Sequence, residues 1–475
     1  MKTLLILGSG TAGLVSALIL RQRFDKLKIK IISSKDIGII GVGEGTTEHW
    51  SEFTSFCGIN VVDLIKQSDA TFKFGVMFKD WSKKDYLQYV SPQSQQLLLA
   101  QYNFMWGKII SENIDPLDIH PKNIIKSEIN KGEHPHQFHF NTMKLNEYLT
   151  HVCKARNIEF EDDIIENVSI KDGKIINLKG KKNHVADFYI DCSGFKRSLI
   201  NKLEAKWISF KEYLPMNEAI AFPTEDTEKY DAWTLAKAMD AGWLWRIPTW
   251  KRWGNGYVYN NNYMNAEKAQ KEVEKYLKKK IKIFKHIKFD AGKLDRPWIS
   301  NCCAIGLSAS FAEPLEASNI GTTINQAFLL MHYLSNYTEE DINQYNLKCN
   351  DIFDNVRDFV LIHYLVKKDS SKFWKELKIK IPESLKDKLK MWKNRLPLGE
   401  DFDKNYLLFN QQNFILVLHG IGFFNKEKIK NEYDLSNDML KDLSKNVWTE
   451  KLKKDEFKGL PHKEYLNYSY YHDEI

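Results

Sequence analysis

Cysteine is scarce in this chain: six in 475 residues (Cys57, Cys153, Cys192, Cys302, Cys303 and Cys349), with no C-x-x-C pair and no framework spacing. A disulfide-stapled or zinc-ribbon fold is thereby excluded, and the expectation is buried thiols kept reduced by the compartment. Long apolar runs are missing too. The stretches near Leu4 and Phe414 are short, well below the ~20 residues of a membrane-spanning helix. Nor is there a secretory signal, because Leu4-Leu5-Ile6-Leu7 passes straight into glycines rather than a small-residue cleavage site. A soluble, cytoplasmic protein with no membrane partner is expected. Charge is not concentrated: the net +7 is spread widely and thickens only after Lys367. No basic stripe interleaved with aromatics follows a nucleic-acid module, so no nucleic-acid partner is expected. Internal repeats, low-complexity tracts and long linkers are absent. What is plentiful is core material, 43% hydrophobic and 13% aromatic, enough for a sizeable interior.

Residues 3–8 read as a buried parallel strand, 11–24 as a helix and 28–34 as a second strand, which makes a β-α-β unit. Short apolar strands recur at 185–192, 219–222 and 299–305, and alternating stretches at 136–140 and 256–259 suggest an added antiparallel sheet. After about residue 320 the pattern turns helical, best seen at 383–397, where Leu385, Leu389, Trp392 and Leu396 share one face. The fold class is therefore α/β: a Rossmann-like module with an added antiparallel sheet, plus a mainly helical C-terminal part. The expected division is 1–335 for the nucleotide module with its interwoven substrate-side sheet, and 336–475 for a helical subdomain completing the substrate pocket.

The loop between the first strand and helix is GSGTAG, with Gly8, Gly10 and Gly13 around Thr11 and Ala12. Gly8 permits the tight turn, Gly10 admits a pyrophosphate to the backbone, and Gly13 lets helix and strand pack closely. The helix N-terminus adds partial positive charge. An acidic residue commonly ends the second strand to hold a ribose hydroxyl; here Ser33 and Ser34 stand in its place, followed by Lys35 and Asp36. Serine retains a hydrogen bond, so the site weakens rather than vanishes.

Four further elements follow in order: GVGEGTTE (Gly41–Glu48), DCSGF (Asp191–Phe195), GWLWRIP (Gly242–Pro248) and EPLEAS (Glu313–Ser318). Together with the glycine loop they resemble the flavin-dependent tryptophan halogenase family over most of the chain. The W-x-W-x-I-P element (Trp243, Trp245, Ile247, Pro248) is the most diagnostic. The resemblance implies an FAD-binding module of the glutathione-reductase type. It assigns the second flavin motif to Gly41, Gly43, Glu44 and Thr46, and the strand end beside the flavin to Ala304–Gly306. It further implies that a flavin hydroperoxide oxidises halide to hypohalous acid. The family's essential lysine falls on Lys73, after Phe72, and its essential glutamate on Glu316. An ammonium or amine can hold hypohalous acid or form a haloamine, and a carboxylate can take the proton lost when the arene regains aromaticity. Trp243 and Trp245 are a signature that would keep substrate away from the flavin, or simply core.

The chain also departs from the family. The EPLE loop usually continues Ser-Thr-Gly, where the last two amides cradle chloride; here Ala317, Ser318 and Asn319 follow. Amide donors survive a side-chain change, so Ser318 and Asn319 remain the halide-binding candidates. The altered pocket favours bromide or iodide over chloride. Enzymes acting on free tryptophan carry a Tyr-Tyr pair where this chain has Phe414 and Ile415, and their indole-sandwiching His and Phe have no match in Ser91–Phe104. An indole- or phenol-like substrate, free-standing or on a larger molecule, is therefore expected. The cluster His134, His136 and His139 lacks a completing carboxylate or thiol, so no metal is expected. His139-Phe140 instead matches a His-Phe of the family and is expected near the flavin. No second, NAD-type fingerprint occurs, which assigns FAD reduction to a separate flavin reductase; a homodimer is the assembly to test. The alternatives are an FAD-dependent aromatic monooxygenase and a non-catalytic FAD-binding protein, against which the tryptophan motif, Lys73 and Glu316 argue.

Overall fold

The structure is a computed structural model and describes residues 1–38, 41, 43–89, 104–130, 137–402, 404, 406–443 and 459–471. His134, His136 and nearly all of Ser91–Phe104 lie outside these residues. Two compact units interleave along the chain: Met1–Ala70, Phe140–Lys211 and Asp290–Val356 form the first, and Thr71–His139, Glu212–Phe289 and Arg357–Ile475 the second. Among the described residues no helix is long and apolar enough to cross a membrane.

The first unit is built on a six-stranded sheet. Thr3–Leu7 lies at its centre, parallel to Lys28–Ser33 on one side and to Phe188–Asp191 on the other. Cys302–Ala304 extends the sheet in parallel beyond Phe188–Asp191, and Glu159–Asp162 does so beyond Lys28–Ser33. The central strand is apolar throughout because both its faces are covered. The helix Thr11–Arg23 is buried from Gly13 to Leu20. It has no polar stripe because the helices Thr142–Ala155 and Ser318–Tyr333 pack against it as well.

The second unit is built on a seven-stranded sheet. Its order is Lys285–Lys288, Glu218–Glu225, Arg252–Tyr259, Gly242–Thr249, Thr234–Met239, Gly75–Lys79, Tyr86–Tyr89. Only Thr234–Met239 and Gly75–Lys79 pair in parallel. The helices Glu383–Trp392, Gln411–Gly420 and Lys426–Leu435 belong to this unit. Leu385, Leu389 and Trp392 are buried as their spacing predicts, but the helix stops at Trp392 rather than at 397. Pro397 explains the early end, since it disfavours helical geometry just before it. Leu396 is buried beyond the helix end, where Arg395 makes a two-pronged contact with Asp401 at 2.8 Å on each nitrogen.

Candidate active site

In the first unit the glycine loop is built as its sequence predicts. Gly8 has φ +115°, and a Cβ there would strike the Cys192 carbonyl; one on Gly13 would strike the carbonyl of Gly8. These two glycines serve chain packing. Gly10 differs: it caps the helix in extended geometry without a side-chain bond, and a Cβ there would meet no protein atom within 4 Å. The Leu14 amide closes the first turn on the Gly10 carbonyl at 3.1 Å, and the amides that precede it in a helix have no intrahelical acceptor and suit an anion.

The other predicted groups gather around that opening. The Thr11 hydroxyl contacts Glu44 Oε2 at 3.3 Å. Burial pushes the Glu44 carboxyl up to about 7, against a lowering contribution from Thr11. Gly306, at φ +69°, lies so close to Ala12 that a Cβ would stand 2.7 Å from the Ala12 Cβ. Its amide donates to Gln326 Oε1 at 3.1 Å. Gly41, at φ +150°, abuts Thr142. Thr46 is fully buried. The Ser33 carbonyl is occupied by the Asp163 amide at 3.1 Å, and the Ser34 hydroxyl accepts from the Asp36 amide at 3.2 Å. In DCSGF, Asp191 is completely buried and accepts from Ser193, Leu199, Ile200 and Ser308, so its carboxylate is an internal anchor. Open space at Gly10 on the helix N-terminus, with Gly306 close against Ala12 and Thr11 against Glu44, is a set of groups suited to a dinucleotide pyrophosphate and ribose.

The EPLEAS loop also belongs to this unit. Glu316 (φ 67°, ψ 4°) and Ala317 (φ 53°, ψ 36°) are both left-handed, and Ser318 returns to right-handed geometry at the start of the helix Ser318–Tyr333. Left-handed followed by right-handed residues turn successive amides to one side, a concavity suited to an anion. Glu313 and Glu316 are buried, as is Ser318, while Asn319 is partly exposed.

Lys73 lies in the second unit, directly after the short strand Thr71–Phe72. Thr71–Phe72 pairs antiparallel with Phe138–His139. The Thr71 hydroxyl donates to the Pro248 carbonyl at 2.6 Å and contacts His139 Nδ1 at 3.3 Å. His139 Nε2 lies 2.9 Å from the Thr234 hydroxyl. Because Thr71 spends its proton on Pro248, the network assigns the His139 proton to Nδ1 and makes Nε2 the acceptor. Burial, then the charge of Lys73, then His462 hold His139 well below its usual range, so this ring is neutral. Lys73 is only 2% exposed, which removes the reading of an ordinary surface lysine.

The tryptophan motif is the strand Gly242–Thr249. Trp243 is buried at 1% exposure, and Trp245 stands 6.2 Å from it, ring centre to ring centre. Trp245 faces Gly256 across the ladder, where any side chain would collide with the indole. Phe414 and Ile415 are core residues on the helix Gln411–Gly420: the Phe414 ring packs on Phe402 at 5.0 Å, Phe359 at 5.2 Å and Trp392 at 5.4 Å.

One segment escaped sequence reading. Leu460–Pro461 pairs with Glu128–Ile129, and the helix His462–Leu466 with the helical turn Asn467–Tyr471 after it lays His462, Tyr465 and Tyr470 around Phe72. Its only sequence signal is Pro-His followed by closely spaced tyrosines after a lysine-rich stretch. All six cysteines are free, five of them buried. Among the described residues no three His, Cys, Asp or Glu side chains gather as a metal set.

With a glycine loop on the central sheet of the first unit and a buried lysine in the second, the chain has the fold of the flavin-dependent halogenases. The chain belongs to the tryptophan halogenase family, whose model matches residues 3–434. It is similar to the tryptophan 6-halogenase SttH of Streptomyces toxytricini, 26% identical over 88% of each chain. The solved structure of SttH superimposes with a TM-score of 0.88 at 23% identity, covering 98% of this chain and 99% of that one. BrvH, a flavin-dependent halogenase from a Brevundimonas species, superimposes with a TM-score of 0.86 at 23% identity over 98% of both chains.

Proposed function

We propose that this protein is an FADH2- and O2-dependent halogenase that delivers an oxidised halogen through Lys73 to an electron-rich indole- or phenol-like substrate. The carrying observation is the confinement of Lys73: a lysine at 2% exposure, on a strand tied by Thr71 to the W-x-W-x-I-P motif. Reduced FAD, when bound, supplies with dioxygen the two-electron oxidation of halide to hypohalous acid, a flavin reductase having supplied the reduced form.

Each predicted residue then has a task. Amides around Gly10 receive the pyrophosphate, Thr11 and Glu44 face the ribose, and Ala12 and Gly306 press the backbone against the cofactor. The amides of Ser318 and Asn319 hold the halide ion. Lys73 donates a hydrogen bond to hypohalous acid, or as an amine exchanges a proton for halogen to form the N–halogen bond with loss of water. Glu316 takes the ring proton as the arene regains aromaticity. Trp243 and Trp245 keep the arene from the flavin.

Phe414, packed among Phe359, Trp392 and Phe402, and the buried Ile415 offer no hydroxyl to an amino-acid backbone, which supports an arene other than free tryptophan.

The test supplies bromide, FAD, a reductase and a panel of indoles and phenols, with product mass as readout. Wild type yields halogenated arene only with halide; Lys73→Met binds FAD but yields none. Halide-independent oxygenation would establish a monooxygenase instead, and normal turnover by Lys73→Met would remove the lysine from the mechanism. Glu316→Gln should still release hypohalous acid while slowing arene halogenation.

A further inference from the structure

Three successive backbone amides around Lys73 donate to three different segments. Phe72 N–H reaches the Nε2 of His462 at 3.0 Å, Lys73 N–H the Gln137 carbonyl at 3.0 Å, and Phe74 N–H the Ala232 carbonyl at 2.8 Å. Two of these partners are backbone and survive any substitution. The third is a side chain, on a segment beyond the residues matched by the family model.

We propose that His462 is a positioning residue for Lys73: its neutral imidazole accepts the Phe72 amide hydrogen and thereby fixes the backbone one residue before the lysine. The inference rests on the function proposed above, in which Lys73 holds the oxidised halogen.

The ring can play this part in one protonation state only. Nε2 accepts from Phe72, so the proton sits on Nδ1, which lies 3.2 Å from the Asp231 carbonyl. A doubly protonated ring has no lone pair for Phe72. The groups shown to act on it are Asp231 and Tyr230 from one loop and His139 from the paired strand, while Tyr465 packs on the same Phe72 ring and Lys463 is its neighbour in the helix. Lys463 is already engaged with Asp226 at 2.6 Å. Burial holds the imidazole down to about 4, despite contacts with Asp231 and Tyr230 that raise it.

Packing makes the contact rigid. The imidazole stacks on Phe72 at 5.7 Å with planes 26° apart, and Phe138, Tyr465 and Tyr470 surround the same ring at 5.8–6.1 Å. The His462 amide also donates to the Ser127 carbonyl at 2.9 Å, while the Ser127 hydroxyl accepts from Ala232 N–H at 2.9 Å. The segment that carries His462 is thus tied to the same loop that binds Phe74. A small displacement of Phe72 moves the lysine stem, and delivery of a reactive halogen tolerates little misplacement.

The experiment compares His462→Phe, which keeps a flat ring but lacks the acceptor, with His462→Gln, whose carbonyl oxygen can accept. In the flavin-free full-length protein, hydrogen exchange at Phe72 and Lys73 should quicken by about tenfold in His462→Phe and return toward wild type in His462→Gln. In the loaded enzyme the readout is the fraction of consumed reduced flavin that ends as bromoindole. Indole is the probe arene, and excess methionine scavenges free hypobromous acid. That fraction should fall several-fold in His462→Phe, with KM for indole little changed, and recover in His462→Gln.

If His462→Phe lowers only the melting temperature, with local exchange and coupled fraction as in wild type, the residue is structural and the proposal is overturned. Should His462→Phe not fold, wild type and His462→Gln decide. Acidification must open Phe72 exchange in wild type alone; identical pH profiles overturn the proposal. Lys73→Met separates the two claims. Loss of coupling in Lys73→Met but not in His462→Phe defeats this inference alone. Coupling retained in Lys73→Met defeats the proposed function, while the exchange data still judge the hydrogen bond.

Discussion

The Thr71 hydroxyl donates to the Pro248 carbonyl oxygen at 2.6 Å, joining the strand that carries Lys73 to the last residue of the W-x-W-x-I-P motif. The tryptophan motif is thereby a support for the segment that carries the lysine. Trp243 buries itself in the sheet, Trp245 covers Gly256, and the strand they anchor presents Pro248 to Thr71. A proline carbonyl is well suited, because the residue cannot compete with an N–H of its own.

Thr71→Val deletes that donor and leaves the Pro248 carbonyl and the His139 Nδ1–H without their partner. The cost should be ~1–3 kcal/mol in unfolding free energy, with most of it restored in Thr71→Ser. Denaturant titration measures both; a Val variant as stable as wild type would show that the hydroxyl contributes nothing.

The glycines of the first loop should separate into two classes. Gly8→Ala forces a Cβ into the Cys192 carbonyl from a backbone at φ +115°, so it should destabilise the apoprotein by about 2 kcal/mol or more. Gly10→Ala meets no protein atom, so apoprotein stability should change by less than about 1 kcal/mol. FAD affinity should nevertheless fall by about tenfold or more, because the open space belongs to the pyrophosphate. Fluorescence titration with FAD beside thermal melts distinguishes the two; a Gly10→Ala variant with full affinity would contradict the placement of the cofactor.

Glu44 predicts a pH dependence whose sign follows from burial. Its folded pKa of about 7 lies above the unfolded value of 4.5, so between these values the native state binds the extra proton. Stability of the flavin-free protein should therefore fall as pH rises from about 4.5 to about 7, then level off for this group. Glu44→Gln cannot ionise. Relative to wild type it should gain melting temperature at pH 8 and gain little at pH 5. An equal offset at both pH values would mean that Glu44 does not titrate in that window.

How much of this was legible in the chain depends on how local each signal is. The strand 3–7, the helix 11–23 and the strand 28–33 follow from hydrophobic pattern and glycine placement, which act over a few residues. The environment of Lys73 is different in kind. Phe72 marks the lysine, but the partners of the Phe72, Lys73 and Phe74 amides lie at 462, 137 and 232, and no short-range pattern connects them. The His139 ring contacts Thr71 and Thr234, a consequence of strand register set by long-range pairing. Likewise Phe414 was recognised for the hydroxyl it lacks, while its burial among Phe359, Trp392 and Phe402 required the helices to be packed.

The halide loop carries the last prediction. Glu316 and Ala317 hold left-handed geometry although neither is glycine, a strained choice that only surrounding packing can maintain. Its result is to aim the amides of Ser318 and Asn319 together, and amide hydrogens discriminate weakly among halides. Ease of oxidation then becomes the discriminating property, and it favours the larger ions, which is the preference proposed for this loop. With equimolar chloride and bromide, the brominated arene should dominate, and Asn319→Gly, which restores the residue usual in the family's chloride-binding loop, should shift the ratio toward chloride. Mass spectrometry of the mixed product reads both halogens in one assay. A wild-type enzyme that chlorinates preferentially at equal concentrations would defeat the halide assignment while leaving the amide cradle and Lys73 untouched.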